Sequence, residues 1–228
     1  MEYIWESLTT ALSLIWSLDS QVLEAVSVSL EVSILAVLLA SLVGIPLGTL
    51  LVSRRFFGRR LVMTVINTLM GLPTVAVGLG VYGLISRQGP LGGLELLFSL
   101  PAIVIGQFIL VTPIVIGLTV SAVASADARV VPTARALGAS DFQASLVLLR
   151  ESRFGLMAAV SASFGRAISE VGVAMILGGN IKGFTRTLTT AIALETGKGG
   201  FSLALALGLV LLTLSFGVNI IFNILQKK

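Results

Sequence analysis

The chemically most unusual residues of this sequence are two charges inside one apolar stretch, Arg166 and Glu170. They stand four residues apart, which places them on one face of a helix and within reach of each other. If the stretch lies in a membrane, each charge costs roughly 2.5–3.5 kcal/mol at the bilayer centre, so neither should face lipid. Two interpretations follow: an ion pair that fixes helix packing, or an arginine that borders an anion route or a gate.

A second group of polar residues follows that stretch and contains Thr185, Arg186 and Thr187. An arginine suits tetrahedral oxyanions because its planar guanidinium offers several N–H donors in a fixed fork. The cluster therefore predicts either an oxyanion contact on the outer side or a turn held by threonine hydrogen bonds.

Prolines interrupt two further apolar stretches, at Pro73 and Pro113. Proline removes a backbone N–H and leaves a carbonyl without its helical partner, which a membrane tolerates where protein or water satisfies it. Beside Thr74, Pro73 favours a broken helix that lines a pore over a simple kink. Pro113 fits either interpretation equally well.

Several kinds of chemistry are excluded because the sequence has no cysteine and no histidine. It has no disulfide, no Cys/His zinc site and no Ser-His nucleophile pair. It also has no phosphate-binding loop, since the segment from Gly197 to Gly200 lacks the required spacing and hydroxyl. We therefore expect no cofactor in this chain and no enzymatic activity of its own.

The composition is that of a membrane protein, with 56% hydrophobic and 11% charged residues and a mean hydropathy of +1.04. Soluble domains carry about 25% charged residues. A membrane-spanning helix needs about 20 mostly apolar residues. Stretches that qualify occupy 22–52, 61–86, 100–124, 155–178 and 201–225. We predict an all-α integral membrane protein with five transmembrane helices in one domain, 1–228.

Residues 1–20 predict an amphipathic helix that lies on the membrane surface or packs against its own protein, with Ser7 on the polar face. The basic residues between the stretches set the orientation, because cytoplasmic loops are enriched in them. Four lie on one side: Arg87, Lys182, Arg186 and Lys198. Ten lie on the other: Arg54, Arg55, Arg59, Arg60, Arg129, Arg135, Arg150, Arg153, Lys227 and Lys228. This split predicts an outer N-terminus and a cytoplasmic C-terminus. The positive net charge is then explained without nucleic acid.

The cytoplasmic connection 125–154 is long and alternates apolar residues with charges around a break at Gly138. Loops longer than about 12–15 residues are usually functional or disordered, and the helical periodicity here disfavours disorder. We predict a helix, a turn and a second helix, with Ser140 or Asp141 as its N-cap. The hairpin is either a docking surface for a partner or an amphipathic spacer.

This connection resembles the cytoplasmic EAA loop of ABC-importer permeases. The residues that carry the resemblance are Ala134, Arg135, Ala136, Leu137, Gly138, Ala139, Ser140, Asp141 and Phe142. The resemblance implies a coupling helix that inserts into a groove of a separate ATPase subunit. Pro132 and Thr133 depart from the family's Glu-Ala, and Arg150 and Glu151 depart from its Leu-Pro.

Two more segments resemble the oxyanion branch of the same family. They are the Pro-Thr-Val-x-x-Gly stretch from Pro73 to Gly78 and the Gly-Asn-Ile-x-Gly-x-Thr-Arg-Thr stretch from Gly179 to Thr187. The longer run after Thr187 is similar to the tungstate-type members. The resemblance implies a type I importer fold and transport of tungstate or molybdate across a prokaryotic cytoplasmic membrane.

The expected partners follow from the same resemblance. They are a second copy of this chain, two ATPase subunits that hold ATP and Mg, and an extracytoplasmic oxyanion-binding protein. The alternative is a transporter or channel driven by an ion gradient, with Glu170 as proton carrier.

Overall fold

A computed structural model describes residues 2–17, 19–54 and 56–226, and every regular element in those ranges is helical. This confirms the all-helical prediction. The helices are α1 (Glu2–Trp16), α2 (Ser20–Ser53), α3 (Arg59–Leu69), α4 (Thr74–Ile85), α5 (Leu100–Ala124), α6 (Val130–Ala136), α7 (Asp141–Glu151), α8 (Arg153–Ile168), α9 (Gly172–Gly178), α10 (Leu188–Gly197) and α11 (Phe201–Gln226). Of the basic residues used to predict orientation, Arg55, Lys227 and Lys228 lie outside the described residues.

Three helices, α2, α5 and α11, are each long and apolar enough to cross a bilayer. Two helix pairs reach that length only together, and both are bent: α3 and α4 by 98°, α8 and α9 by 57°. The predicted stretches 61–86 and 155–178 are therefore each two helices and not one continuous helix. The first bend follows from Pro73, which precedes α4 as its N-cap and donates no hydrogen bond to the preceding turn. Pro113 behaves differently, because it is buried inside α5 and that helix continues through it.

The centre of the subunit is a parallel pair of helices, α2 and α5. Small residues let them approach: Gly44 lies against Val115, and Gly48 lies against Thr119. Without a hydrophobic driving force between helices in lipid, such close packing supplies much of the association energy.

Helix α8 packs antiparallel to α5, and α11 lies at the periphery. The side-chain amide of Gln107 on α5 donates to the Ala167 carbonyl on α8 at 3.2 Å. At the other end of this contact, Gly155 lies against Ala122. These contacts fix α8, which carries Arg166, to the central pair.

Helix α1 packs along α11. Ser7 and Ala11, one turn apart, are buried, whereas Trp5 and Trp16 are 70% and 92% exposed. Of the two predicted placements, the structure has the one in which α1 packs against its own protein, and Ser7 belongs to the buried face.

Candidate functional site

The two bends lie against each other. A Cβ placed on Gly172, the first residue of α9, would be 2.6 Å from Oγ1 of Thr74, the first residue of α4. One turn further along, Gly78 lies against Ile176 in the same way. The N-terminal ends of α4 and α9 are thus neighbours, and each end carries the partial positive charge of its helix dipole.

The surface around the bends exposes polar side chains among apolar ones, although it belongs to membrane-spanning segments. On α3 and at the first bend, the exposed residues include Thr64, Asn67, Thr68, Gly71 and Pro73. Ala162 on α8 and Ser169 directly after it are exposed, and a Cβ on Gly165 would meet no atom within 4 Å. We call these residues, with Thr74 and Arg166, the open face. Polar groups at membrane depth need water or protein as neighbours, so the open face is not a lipid-facing surface.

Arg166 and Glu170 form an ion pair at the second bend. Nη1 of Arg166 donates to Oε2 of Glu170 at 2.6 Å, with 36% of the arginine side chain exposed and 3% of the glutamate. The pair is not on one continuous helix, because α8 ends at Ile168. Glu170 instead lies in the bend, where Oε1 accepts the backbone N–H of Val173 at 3.1 Å. The carbonyl of Glu170 accepts the Thr189 hydroxyl at 2.6 Å, which ties α10 to the same bend.

The predicted threonine cluster is mostly buried. Thr185 is fully buried and its hydroxyl donates to the Gly178 carbonyl and accepts the N–H of Ile181. Thr187 is the N-cap of α10 and forms a capping box with Thr190. Because these hydroxyls are engaged within the chain, the geometry favours a turn held by threonine hydrogen bonds over a set of open donors.

Arg186 is held by the same turn. One of its terminal nitrogens donates to the Asn180 carbonyl at 3.4 Å, and its Nε is buried without a hydrogen-bond partner among the described residues. Its guanidinium is therefore only partly available to an approaching anion.

The cytoplasmic connection is a helical hairpin made of α6 and α7. Gly138 turns the chain with φ of +88°, a conformation that side chains other than glycine rarely adopt. Ser140 is the N-cap of α7 and forms a capping box with Gln143. Leu137 and Phe142, on either side of the turn, are 83% and 73% exposed.

The remaining predicted hairpin residues divide between its inner and outer surfaces. Ala134 is buried and Ala139 is half-buried, so both belong to the packing between the two helices. Ala136, Ser140 and Asp141 are exposed. The tip of the hairpin thus presents apolar side chains to its surroundings, as a docking surface does.

One ion pair joins the two helices of the hairpin, and a second joins the hairpin to the membrane body. Sequence reasoning missed the second pair, which involves Arg54. The Asp141 carboxylate lies 2.9 Å from Arg135 of α6 and 3.6 Å from Arg54, which follows α2. The spacing of these residues along the chain gave no signal for the contact with Arg54. At the base of the hairpin, hydrogen bonds from Arg129 hold the pKa of the Asp127 carboxyl below its usual range.

The hairpin is joined by a single residue to α8, the helix that carries Arg166 and part of the open face. Helix α7 ends at Glu151 and α8 begins at Arg153, with only the buried Ser152 between them. Arg166 lies near the other end of the same α8, and Ser169 follows that end directly. Across the described residues, no three His, Cys, Asp or Glu side chains are grouped so that they could hold a metal ion.

Comparison with known proteins agrees with this arrangement. The chain is 42% identical to the tungstate uptake system permease protein TupB of Peptoclostridium acidaminophilum over 228 residues, the whole of both chains. It is 44% identical to a probable anion ABC transporter permease protein of Haloferax volcanii over 198 residues, 85% of each chain. A chain of the MetNI methionine ABC transporter shares the fold, with a TM-score of 0.75 and 16% identity over 94% of this chain and 97% of that one.

The family described as binding-protein-dependent transport system inner membrane component matches residues 14–228. With that match over nearly the whole length, the chain belongs to this family of ABC-transporter membrane subunits.

Proposed function

We propose that this chain is the permease subunit of an ATP-driven importer for a tetrahedral oxyanion, with tungstate as the cargo and molybdate as its competitor. The observation that carries the proposal is the 42% identity to a tungstate uptake permease over the full length of both chains. Bends in membrane helices are tolerated where they line a water-filled cavity, which suits a passage for an anion.

A second copy of the chain completes the path. The open face carries polar groups and an arginine that a lipid bilayer would not accept, and a second protein surface facing it would enclose a water-filled passage away from lipid. A symmetric pair of subunits presents the same face twice, and the oxyanion passes between the two copies.

An ATPase subunit docks on each hairpin. Exposed Leu137 and Phe142 supply the apolar contacts, and α7 passes the movement of the ATPase to α8 across Ser152. ATP and Mg belong to that partner, because this sequence contains no phosphate-binding loop.

An extracytoplasmic binding protein supplies the oxyanion on the other side. Residues 86–99 connect α4 to α5 there, and a cavity of about 570 Å³ is lined by Tyr82, Arg87, Glu95 and Phe98 among others. In this orientation the N-terminus is outside and the hairpin is cytoplasmic, as the distribution of arginine and lysine favours. The subunit is then a multi-pass protein of the cytoplasmic membrane.

The proposal is tested by purifying the tagged chain from native membranes, identifying the proteins that accompany it and assaying ATP hydrolysis. The complete complex is then reconstituted in vesicles, and uptake of tungstate, molybdate and sulfate is compared with and without ATP. We expect an ABC-type ATPase to co-purify and tungstate uptake to require ATP. A chain that purifies alone and transports in response to an ion gradient would contradict the proposal.

A further inference from the structure

The guanidinium of Arg166 keeps donors free although it is ion-paired. Its one side-chain hydrogen bond among the described residues runs from Nη1 to Glu170. A guanidinium carries five N–H donors in one plane, so the N–H groups on Nη2 and Nε remain available. With 36% of the side chain exposed, these donors are accessible from the open face.

The carboxylate of Glu170 does not offer the same access. Each of its oxygens has a partner, Oε2 with Arg166 and Oε1 with the Val173 N–H, and only 3% of the side chain is exposed. An anion that approaches from the open face therefore meets the edge of the guanidinium before it meets the carboxylate. The negative charge behind the arginine lowers its attraction for the anion without blocking it.

The space beside Arg166 is open and lined by small residues. A Cβ on Gly165 would touch nothing within 4 Å, and both Ala162 on the same helix and Ser169 just after it are exposed. The nearest basic residues along the chain are Arg153 and Lys182, so Arg166 is an isolated cation on this part of the chain. A guanidinium in such a position needs an aqueous or protein neighbour, and an anion in transit would be a matching partner.

We propose that Arg166 contacts the oxyanion during its passage and that Glu170 is a positioning residue that holds the guanidinium and keeps the contact weak. The inference rests on the proposed function, because it names the side chain that meets the cargo. A transport site must attract its ion strongly enough to admit it and weakly enough to release it. A paired arginine meets both requirements, since it offers directed N–H donors while the net charge of the pair is zero.

The test replaces the charged pair with a neutral pair of similar shape, R166Q/E170Q. The new amide at position 170 can accept the Val173 N–H and donate to the amide at position 166, so the bend keeps its hydrogen bonds. The probe is tungstate delivered by its binding protein to the complete complex in vesicles. We expect the double variant to assemble with the ATPase, and its maximal uptake rate to fall about 10- to 100-fold, the range for losing a charged hydrogen bond.

Two further measurements separate contact with the anion from a structural role. The KM for the loaded binding protein should stay within about twofold of wild type, because that protein docks at the outer surface and not at Arg166. The single variant R166K, which keeps a positive charge, should retain more uptake than R166Q/E170Q. The control is K198Q/E195Q, which removes an ion pair of 3.3 Å at the end of α10 and should leave uptake unchanged.

The possible outcomes are distinct. If wild type takes up tungstate and R166Q/E170Q does so at the same rate, the pair is structural and the inference is overturned. If wild-type complex transports neither tungstate nor molybdate, the proposed function fails and the inference fails with it. If R166Q/E170Q does not assemble, the single variants R166K and R166Q are compared instead. Equal uptake by these two variants would overturn the inference.

Discussion

Alanine at Gly44 and Gly48 should loosen the contact between α2 and α5 that forms the centre of the subunit. A Cβ on Gly44 would lie 2.7 Å from Cγ1 and 3.0 Å from Cβ of Val115. A Cβ on Gly48 would lie 2.8 Å from Cβ and Cγ2 of Thr119 and 3.0 Å from the Ile116 carbonyl oxygen. Rotation of the two side chains relieves only part of this overlap, because the Cβ atoms and the carbonyl are fixed to the backbone. The helices must therefore separate.

The size of the effect follows from two opposing terms. Non-bonded carbons prefer about 3.5–4.0 Å, so the axes must part by about 1 Å. Overpacking of this kind costs about 1–3 kcal/mol, whereas replacing glycine with alanine in a helix gains about 0.8–1.0 kcal/mol. One substitution should thus cost about 0–2 kcal/mol. The second should cost less than the first, because both are relieved by the same separation of the helices.

The assay is thermal unfolding of the purified chain in detergent, followed by tryptophan fluorescence and size-exclusion chromatography. A net loss of about 1–2 kcal/mol corresponds to a Tm lower by about 2–8 °C for a chain of this size. The matched control is G208A/G217A, because a Cβ on either of these α11 glycines would meet nothing within 4 Å. If G44A/G48A melts at or above the temperature of that control, close packing does not hold α2 to α5.

Three further predictions concern the hairpin. The Gly138→Val variant should insert into the membrane normally but lose the co-purifying ATPase, because valine is strained at φ of +88° and would distort the turn of the hairpin. Normal assembly and transport by this variant would rule out the docking role of the hairpin. Asp141→Asn removes both exposed ion pairs, each of which stabilises the protein by less than about 1 kcal/mol, so the yield of the complex should be nearly unchanged. The dependence of its ATP hydrolysis on salt concentration should decrease, because salt screens exposed ion pairs. A salt dependence equal to that of wild type would count against the pairs. Because Arg129 lowers the pKa of Asp127, their contact should be present above the usual aspartate pKa and lost as pH falls through the lowered value. NMR titration of the Asp127 carboxyl should therefore have its midpoint below the ordinary value of 3.8, and a midpoint at or above 3.8 would count against the contact.

Hydropathy and short-range patterns predicted the helical class, the apolar stretches and the hairpin, because these depend on transfer of side chains into lipid and on local backbone preferences. The capping choice was open between Ser140 and Asp141, and the structure selects Ser140, whose hydroxyl accepts the N–H of Gln143. Pairing of Arg166 with Glu170 was one of the two interpretations that the sequence offered, because a charge at membrane depth requires a partner close by, and the structure contains this pair.

The helix bends and the contacts between distant segments depend on tertiary packing, which the sequence pattern does not show. Two prolines with similar surroundings in the sequence have opposite effects: α4 starts after Pro73, whereas α5 continues through buried Pro113. The bend between α8 and α9 contains no proline, and the Glu170 side chain caps the new helix there. The contact between Arg54 and Asp141 joins distant parts of the chain that no periodicity connects.

The single residue between α7 and α8 makes these helices the two arms of an elbow at Ser152. The cytoplasmic arm, 11 residues from Asp141 to Glu151, is about 16 Å long. The membrane arm from Arg153 to Arg166 is about 20 Å long, at about 1.5 Å per residue. If the elbow turns about Ser152 as a rigid piece, the displacements at Asp141 and Arg166 are in the ratio of the two arm lengths, about 16 to 20, and their directions differ by the angle between the arms. The tip of the hairpin and the guanidinium of Arg166 would then move by nearly the same distance.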